Sequence, residues 1–281
     1  MSSKLDPILR ASDRPFPRGW LVPIGVGRWL LISTALLQAV TPALISFSGS
    51  DQDPPVVPAG YAFSIWSVII AGCVAAALVG FPRRRAASAA LRAVHLRLSL
   101  VQVLFVAWLL AATSSVVWLT VPIFVAMLAL TLAGLRRVLA VGSGGASDGV
   151  PRPDRWSDER LARGLLGGTL GIYAGWSTAG VWINIASLLA QGGISPDGGT
   201  GTAWQSALLI GACVVSVCVV RALAAPLPYV AAVAWAFVGV VVSAVMADAP
   251  ALATVAVLGL LVVAAAAVAT RHRSTVHAVS P

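Results

Sequence analysis

The stretch Pro58-Ala-Gly-Tyr-Ala-Phe-Ser-Ile-Trp66 sets a helix-starting proline ahead of aromatic side chains inside a long apolar run. Pro54 and Pro55 cannot continue a helix, whereas Pro58 at the first turn costs little, because its missing N–H would have had no partner there. A helix is therefore expected to begin near Pro58. At about 100° per residue, Phe63, Trp66 and Ile70 fall on one side of it, with Tyr61 near the mouth. Tyr61 suits an aromatic belt at a membrane surface. Trp66 lies roughly two turns further in, so its indole N–H needs an interior partner or a ligand. The chemistry on offer is stacking with a few hydrogen bonds, or else plain helix packing; either would bury the indole.

A second constellation lies between Gly167 and Ser187. Tyr173, Trp176, Ser177, Gly180, Asn184 and Ser187 recur at helical spacing and join aromatic surface to the chain's sole asparagine. That face can line a cavity; Asn184 can equally act as a hydrogen-bond link between helices, worth on average about 0.6 kcal/mol in membrane bundles. On the other side, Gly167, Gly171, Gly175 and Ala179 form a small-residue ridge that admits a close helix. It serves either an internal contact or a homodimer seam.

The elements that carry these residues are membrane spans. Of 281 residues, 58% are hydrophobic and only 10% charged, and the mean hydropathy is +0.90, far from a soluble domain's roughly 25% charge. Stretches long enough to cross a core of ~30 Å run from Trp29 to Phe47, Ala59 to Val79, Leu96 to Ala140 (split at Thr113-Ser114-Ser115), Leu165 to Ala190, Ala203 to Leu223, Pro228 to Ala247 and Ala251 to Thr270. The expected fold is an all-α polytopic bundle of about eight spans. Its parts are an N-terminal segment (1–28), a five-helix core (29–190), three further spans (191–270) and a tail (271–281).

All 19 Lys and Arg residues fall at one end of these spans, while Asp51, Asp53, Asp197 and Asp248 fall at the other. The positive-inside rule then places both termini in the cytoplasm, in a bacterial cytoplasmic membrane. The net charge of +9 thus orients the chain in its lipid bilayer and implies no nucleic acid partner. No Asp, Glu, Lys, Arg or His stands at mid-span, which argues against ion-coupled transport. Cys73, Cys213 and Cys218 lack metal-ligand or disulfide spacing, and no metal site is expected.

At these residues the chain resembles the tryptophan-rich sensory protein family, relatives of the translocator protein also called the peripheral benzodiazepine receptor. The segment from Pro58 to Trp66 is similar to the entry of that family's second helix, and Ile172-Tyr-Ala-Gly-Trp-Ser-Thr-Ala-Gly-Val-Trp-Ile-Asn184 to its fifth. The resemblance covers about Trp29 to Ala190. It implies a pocket inside the five-helix core for a tetrapyrrole (porphyrin or heme) or another flat hydrophobic ligand, under a lid formed here by Gly49 to Pro58. Tyr61 stands where close relatives of the translocator protein carry a Trp. In the family's third helix an Asn precedes a Trp; the nearest counterparts are Gln102 and Trp108, and only Trp108 is taken into the site. The site residues expected are Pro58, Tyr61, Phe63, Trp66, Trp108, Tyr173, Trp176 and Asn184. No Leu/Val-x-Tyr-x-Lys/Arg pattern follows the fifth span, so cholesterol is not supported.

Catalytic signals are lacking. His95, in a basic loop, and His272 and His277, in the tail, have no carboxylate or cysteine at triad or ligand spacing and are expected to be solvated. Gly142 to Gly149 reads as a flexible linker, and Arg152 to Arg163 as a solvated mixed-charge loop or an interfacial segment. The function expected is a non-enzymatic membrane sensor or carrier for a small hydrophobic ligand, the alternative being a secondary transporter of a neutral solute.

Overall fold

The computed structural model describes residues 23–45, 53–141 and 153–279, with side chains except at 153–157 and 274–279. Most of the N-terminal segment, the first part of the expected lid (Gly49 to residue 52), the Gly142 to Gly149 tract, Arg152, the side chain of His277 and the last two residues of the tail lie outside the described residues.

The described residues are helical throughout their ordered elements: α1 (Ile24–Leu44), α2 (Ile65–Gly80), a short α3 (Arg83–Ala86), α4 (Ala89–Ala112), α5 (Thr120–Val141), α6 (Pro153–Gln191), α7 (Gly198–Ala222), α8 (Leu227–Met246) and α9 (Pro250–Val279). A 3₁₀ turn, Gly60–Ser64, precedes α2. Seven helices are long and apolar enough to cross a membrane, and the chain is an integral membrane protein, a polytopic helix bundle.

Helix α6 is not among those seven, for a reason that lies in its neighbours. It packs on α2, α4, α5, α7 and α8, so protein rather than lipid covers its glycines, hydroxyls and asparagine, and they need not be hydrophobic. One core joins α1, α2, α4, α5 and the Tyr173–Trp176 side of α6. A second joins α7, α8 and α9 to Ala174 and Ala186 on the opposite side. Both cores share α6.

The ridge on α6 is filled from within the chain. A Cβ at Gly171 would stand 2.9 Å from Pro228 Cβ, and one at Gly175 2.8 Å from Ala232 Cβ, while Gly167 faces Val138 at 3.9 Å. Helix α8 therefore seats on Gly171 and Gly175, and the Thr178 and Tyr229 hydroxyls meet at 3.0 Å beside them. A dimer seam on those glycines would have to displace α8.

Two sequence expectations at the basic end are corrected. Helix α6 runs 39 residues, about 58 Å at 1.5 Å per residue, so Pro153 to Arg163 is helix rather than loop. Its Asp158 pairs with Arg84 and Arg85 at 3.1 and 3.0 Å. Glu159 accepts the Ala89 and Ala90 N–H groups at 3.1 Å each, and Ser88 caps Leu91 N–H at 3.3 Å. Those acceptors satisfy the free donors at the start of α4 and place negative charge at its positive end. Helix α4 thus begins at Ala89 rather than near Leu96, and carries His95 inward on its second turn, where it is 1% exposed rather than solvated. His272, by contrast, is exposed.

The turn from α7 to α8 places Ala224 and Ala225 in the left-handed region, at φ 56° and 54°. Arg271 holds that turn by donating Nε and Nη2 to the Ala225 carbonyl at 3.2 and 3.1 Å.

Candidate functional site

The 3₁₀ turn before α2 is the device that aims the site. The turn ends at Ser64 and runs straight into α2, so Phe63 near its end and Trp66 in the first turn of α2, three residues apart, share one side and both face into the bundle. The Trp66 ring is the hub. Its centroid lies 4.6 Å from Phe105, 5.7 Å from Trp108 in a stacked pair at 28°, 6.3 Å from Phe124, 5.7 Å from Tyr173 and 6.3 Å from Trp176. Phe63 meets Trp176 edge-on at 5.5 Å, and Phe124 meets Trp108 edge-on at 5.2 Å. Such geometries are favoured by the ring quadrupoles, at about 0.5 to 1.5 kcal/mol each beyond burial.

Above this cluster opens a cavity of about 170 Å³, walled by Phe63, Trp66, Trp108, Phe124, Trp176 and Asn184 and closed on the loop side by Asp53 and Val57. Gly180 is part of the wall, and a Cβ there would run into the ring of Phe124. Glycine at 180 is what lets α5 bring that ring against α6.

The polar groups divide into engaged and orphaned. Trp108 Nε1 donates to Asn184 Oδ1 at 3.0 Å, and Asn184 Nδ2 donates to the Gly180 carbonyl at 2.7 Å. Asn184 is thus a link between α4 and α6 that also borders the cavity. The Trp66 indole N–H is buried and has no hydrogen-bond partner. Beneath the aromatic cluster runs a buried polar layer: Thr34 Oγ1 donates to Gln102 Oε1, and Gln38 Nε2 donates to the Tyr173 hydroxyl at 3.3 Å.

Of the residues expected at the site, Phe63, Trp66, Trp108, Trp176 and Asn184 line the cavity together. Tyr173 does not line it and is fully buried, at 0% exposure, with its ring against Trp66. Pro58 is buried against Gly239 of α8. Tyr61 points away, 46% exposed, and meets Trp235 of α8 edge-on at 5.6 Å. Helix α6 ends at Gln191 on the cavity's mouth, so Asn184, two turns after Trp176, lies about 12 Å nearer that mouth. Phe105 and Phe124 belong to the cluster, although each is an isolated aromatic in an apolar run and reads from sequence as ordinary core. Gln102 and Gln38 do carry a signal, since each is a lone amide in a membrane span.

An all-α bundle with an aromatic chamber near one membrane face, roofed by the connection between its first two spans, defines a polytopic membrane protein with an internal cavity. A family model described as TSPO-like protein matches residues 31–269, and the chain belongs to that family. The match runs through α7, α8 and α9 as well as the first five spans. No curated protein and no solved structure matches the chain.

Proposed function

We propose that the protein is a non-enzymatic membrane receptor or carrier for a flat hydrophobic molecule, a metal-free tetrapyrrole being the leading class. It is oriented with both termini on the cytoplasmic side of a bacterial membrane. The observation that carries the reading is the indole N–H of Trp66, buried without a partner on a residue that lines the cavity. A buried donor left unpaired costs roughly 1 to 3 kcal/mol, and a ligand with an acceptor edge removes that cost while stacking on the surrounding rings.

The size and chemistry of the chamber restrict what it takes. Its 170 Å³ is below the roughly 300 to 1,000 Å³ of pockets for drug-sized ligands. A tetrapyrrole therefore enters only if the Trp66 and Trp108 rings part, whereas a smaller flat ring fits with less movement. The lining residues include no His, Cys or Met, so heme iron would gain no axial ligand from them, and heme is a poorer fit than a free-base macrocycle. Among the described lining residues Asp53 alone is titratable, and it stands at the loop side, away from the aromatic rings that would hold a ligand.

Titration of the detergent-purified protein with protoporphyrin IX, followed by tryptophan fluorescence, tests this. Quenching is expected, and Trp66→Leu and Trp176→Leu should each weaken binding by about 0.5 to 1.5 kcal/mol, the worth of an aromatic pair. Binding by the double variant as tight as by the wild type would reject the chamber as the site.

A further inference from the structure

The described chain leading into and through the 3₁₀ turn, from Val56 to Ala62, is hydrogen-bonded to the C-terminal helices at three points. The Val56 N–H donates to Gln205 Oε1 of α7 at 3.0 Å. The Ala59 N–H donates to the Gly239 carbonyl of α8 at 3.0 Å, and the Trp235 indole of α8 donates to the Ala62 carbonyl at 2.8 Å. Gly239 makes this approach feasible, since a Cβ there would stand 2.8 Å from both Pro58 Cβ and Ala62 Cβ. Between the first two of those bonds, Val57 turns into the chamber wall. Immediately after the third, the chain delivers Phe63 and Trp66.

Gln205 is built for this. It is 2% exposed, and its amide nitrogen donates to the Pro196 and Gly201 carbonyls at 2.9 and 3.2 Å. With both amide hydrogens committed to carbonyls, its oxygen is fixed toward Val56. Behind Val56 and Pro58, packing against Leu209, Ala236 and Phe237 leaves an apolar slot of about 30 Å³. The segment is thus held by hydrogen bonds at three points beside close packing at Gly239.

We propose that α7 and α8 hold the Val56–Ala62 segment in place over the chamber, with Gln205 and Trp235 as positioning residues that set how fast a ligand enters and leaves. The inference rests on the binding reading above. A ligand passing the mouth has to move Val57, and moving Val57 strains the bonds on either side of it. Neither Gln205 nor Trp235 lines the chamber, so weakening them changes the barrier in both directions and leaves the affinity unchanged.

Full-length Gln205→Leu and Trp235→Phe variants in nanodiscs test this with two readouts. In hydrogen–deuterium exchange, peptides spanning residues 53–64 should exchange about tenfold faster in each variant, as loss of one buried hydrogen bond implies, while peptides from α5 keep the wild-type rate. In stopped-flow mixing with protoporphyrin IX, the association and dissociation rates should rise by the same factor, with Kd within about twofold of wild type. Unchanged exchange at 53–64 in both variants overturns the proposal, as does a rise in dissociation rate alone with a weaker Kd. If Gln205→Leu does not fold, Trp235→Phe alone decides. Failure of the wild type to bind protoporphyrin IX refutes the binding reading instead, and the exchange experiment still decides whether α7 and α8 hold the segment.

Discussion

Trp108 on α4 gives its indole proton to the side-chain oxygen of Asn184 on α6 at 3.0 Å, and the same asparagine returns its amide to the Gly180 carbonyl one turn back. An amide engaged in this way is committed to the bundle before any ligand arrives. Asn184→Leu should therefore lower unfolding stability by about 0.6 to 1.7 kcal/mol, the range for such links in membrane proteins, with a smaller effect on ligand affinity. Thermal unfolding in detergent beside a binding titration checks this; a wild-type Tm with weakened binding would make the amide a ligand contact instead.

Gly180 and Phe124 form a matched pair at the chamber wall. Gly180→Ala drives the Phe124 ring from its place against α6 and disturbs its edge contact with Trp108. Intrinsic tryptophan fluorescence should shift, and protoporphyrin IX affinity should fall by about 0.5 to 1.5 kcal/mol. An unaltered emission spectrum and affinity would mean that the wall yields without consequence.

Gly171→Leu inserts a side chain where Pro228 Cβ already stands 2.9 Å from an added Cβ. Overpacking of this kind costs about 1 to 3 kcal/mol, so Tm should drop. Size-exclusion elution should stay as in wild type, because the ridge is an internal seam; a change from dimer to monomer would assign it to a second copy.

Ala224 carries a left-handed backbone on an exposed residue. Ala224→Gly relieves the Cβ strain, roughly 1 to 2 kcal/mol, against a smaller entropic loss. A gain of about 0.5 to 1 kcal/mol is expected in chemical denaturation, and a loss of stability would contradict the strain argument.

Orientation is accessible to labelling. In a cysteine-free background, Gly199→Cys should react with an impermeant maleimide on intact cells and Arg273→Cys only after lysis, since basic residues gather at the end that holds Arg273. The reverse pattern would invert the chain in the membrane.

How much of this was legible in the sequence depended on whether a residue's role came from its own helix or from another. Trp66, Trp176 and Asn184 reveal themselves through spacing on one helix, and the spans through plain hydrophobicity. Tyr61 does not, because the turn that carries it is 3₁₀ and α8 offers Trp235 as a partner from far along the chain. The helical character of Pro153 to Arg163 was hidden for a similar reason: its charges find their partners at Arg84, Arg85 and the start of α4. His95 looked solvated beside arginines, yet capping by Ser88 and Glu159 starts the helix early enough to bury it. Phe105 and Phe124 differ from other core aromatics only in what surrounds them in space.

The double burden on α6 has a consequence for how the protein is made. Synthesis proceeds from the N-terminus, and the first five spans emerge before α8 exists. For that interval Gly171 and Gly175 offer their bare groove to the bilayer, open to any neighbouring helix with a small face. A ribosome that stalls after α6, or a protease that cuts before α8, leaves a chain whose first core is complete but whose groove is uncovered. Such fragments would be prone to pair with one another or with the α8 of an intact molecule. Quality control therefore has a simple mark for an unfinished copy: a glycine groove still facing lipid.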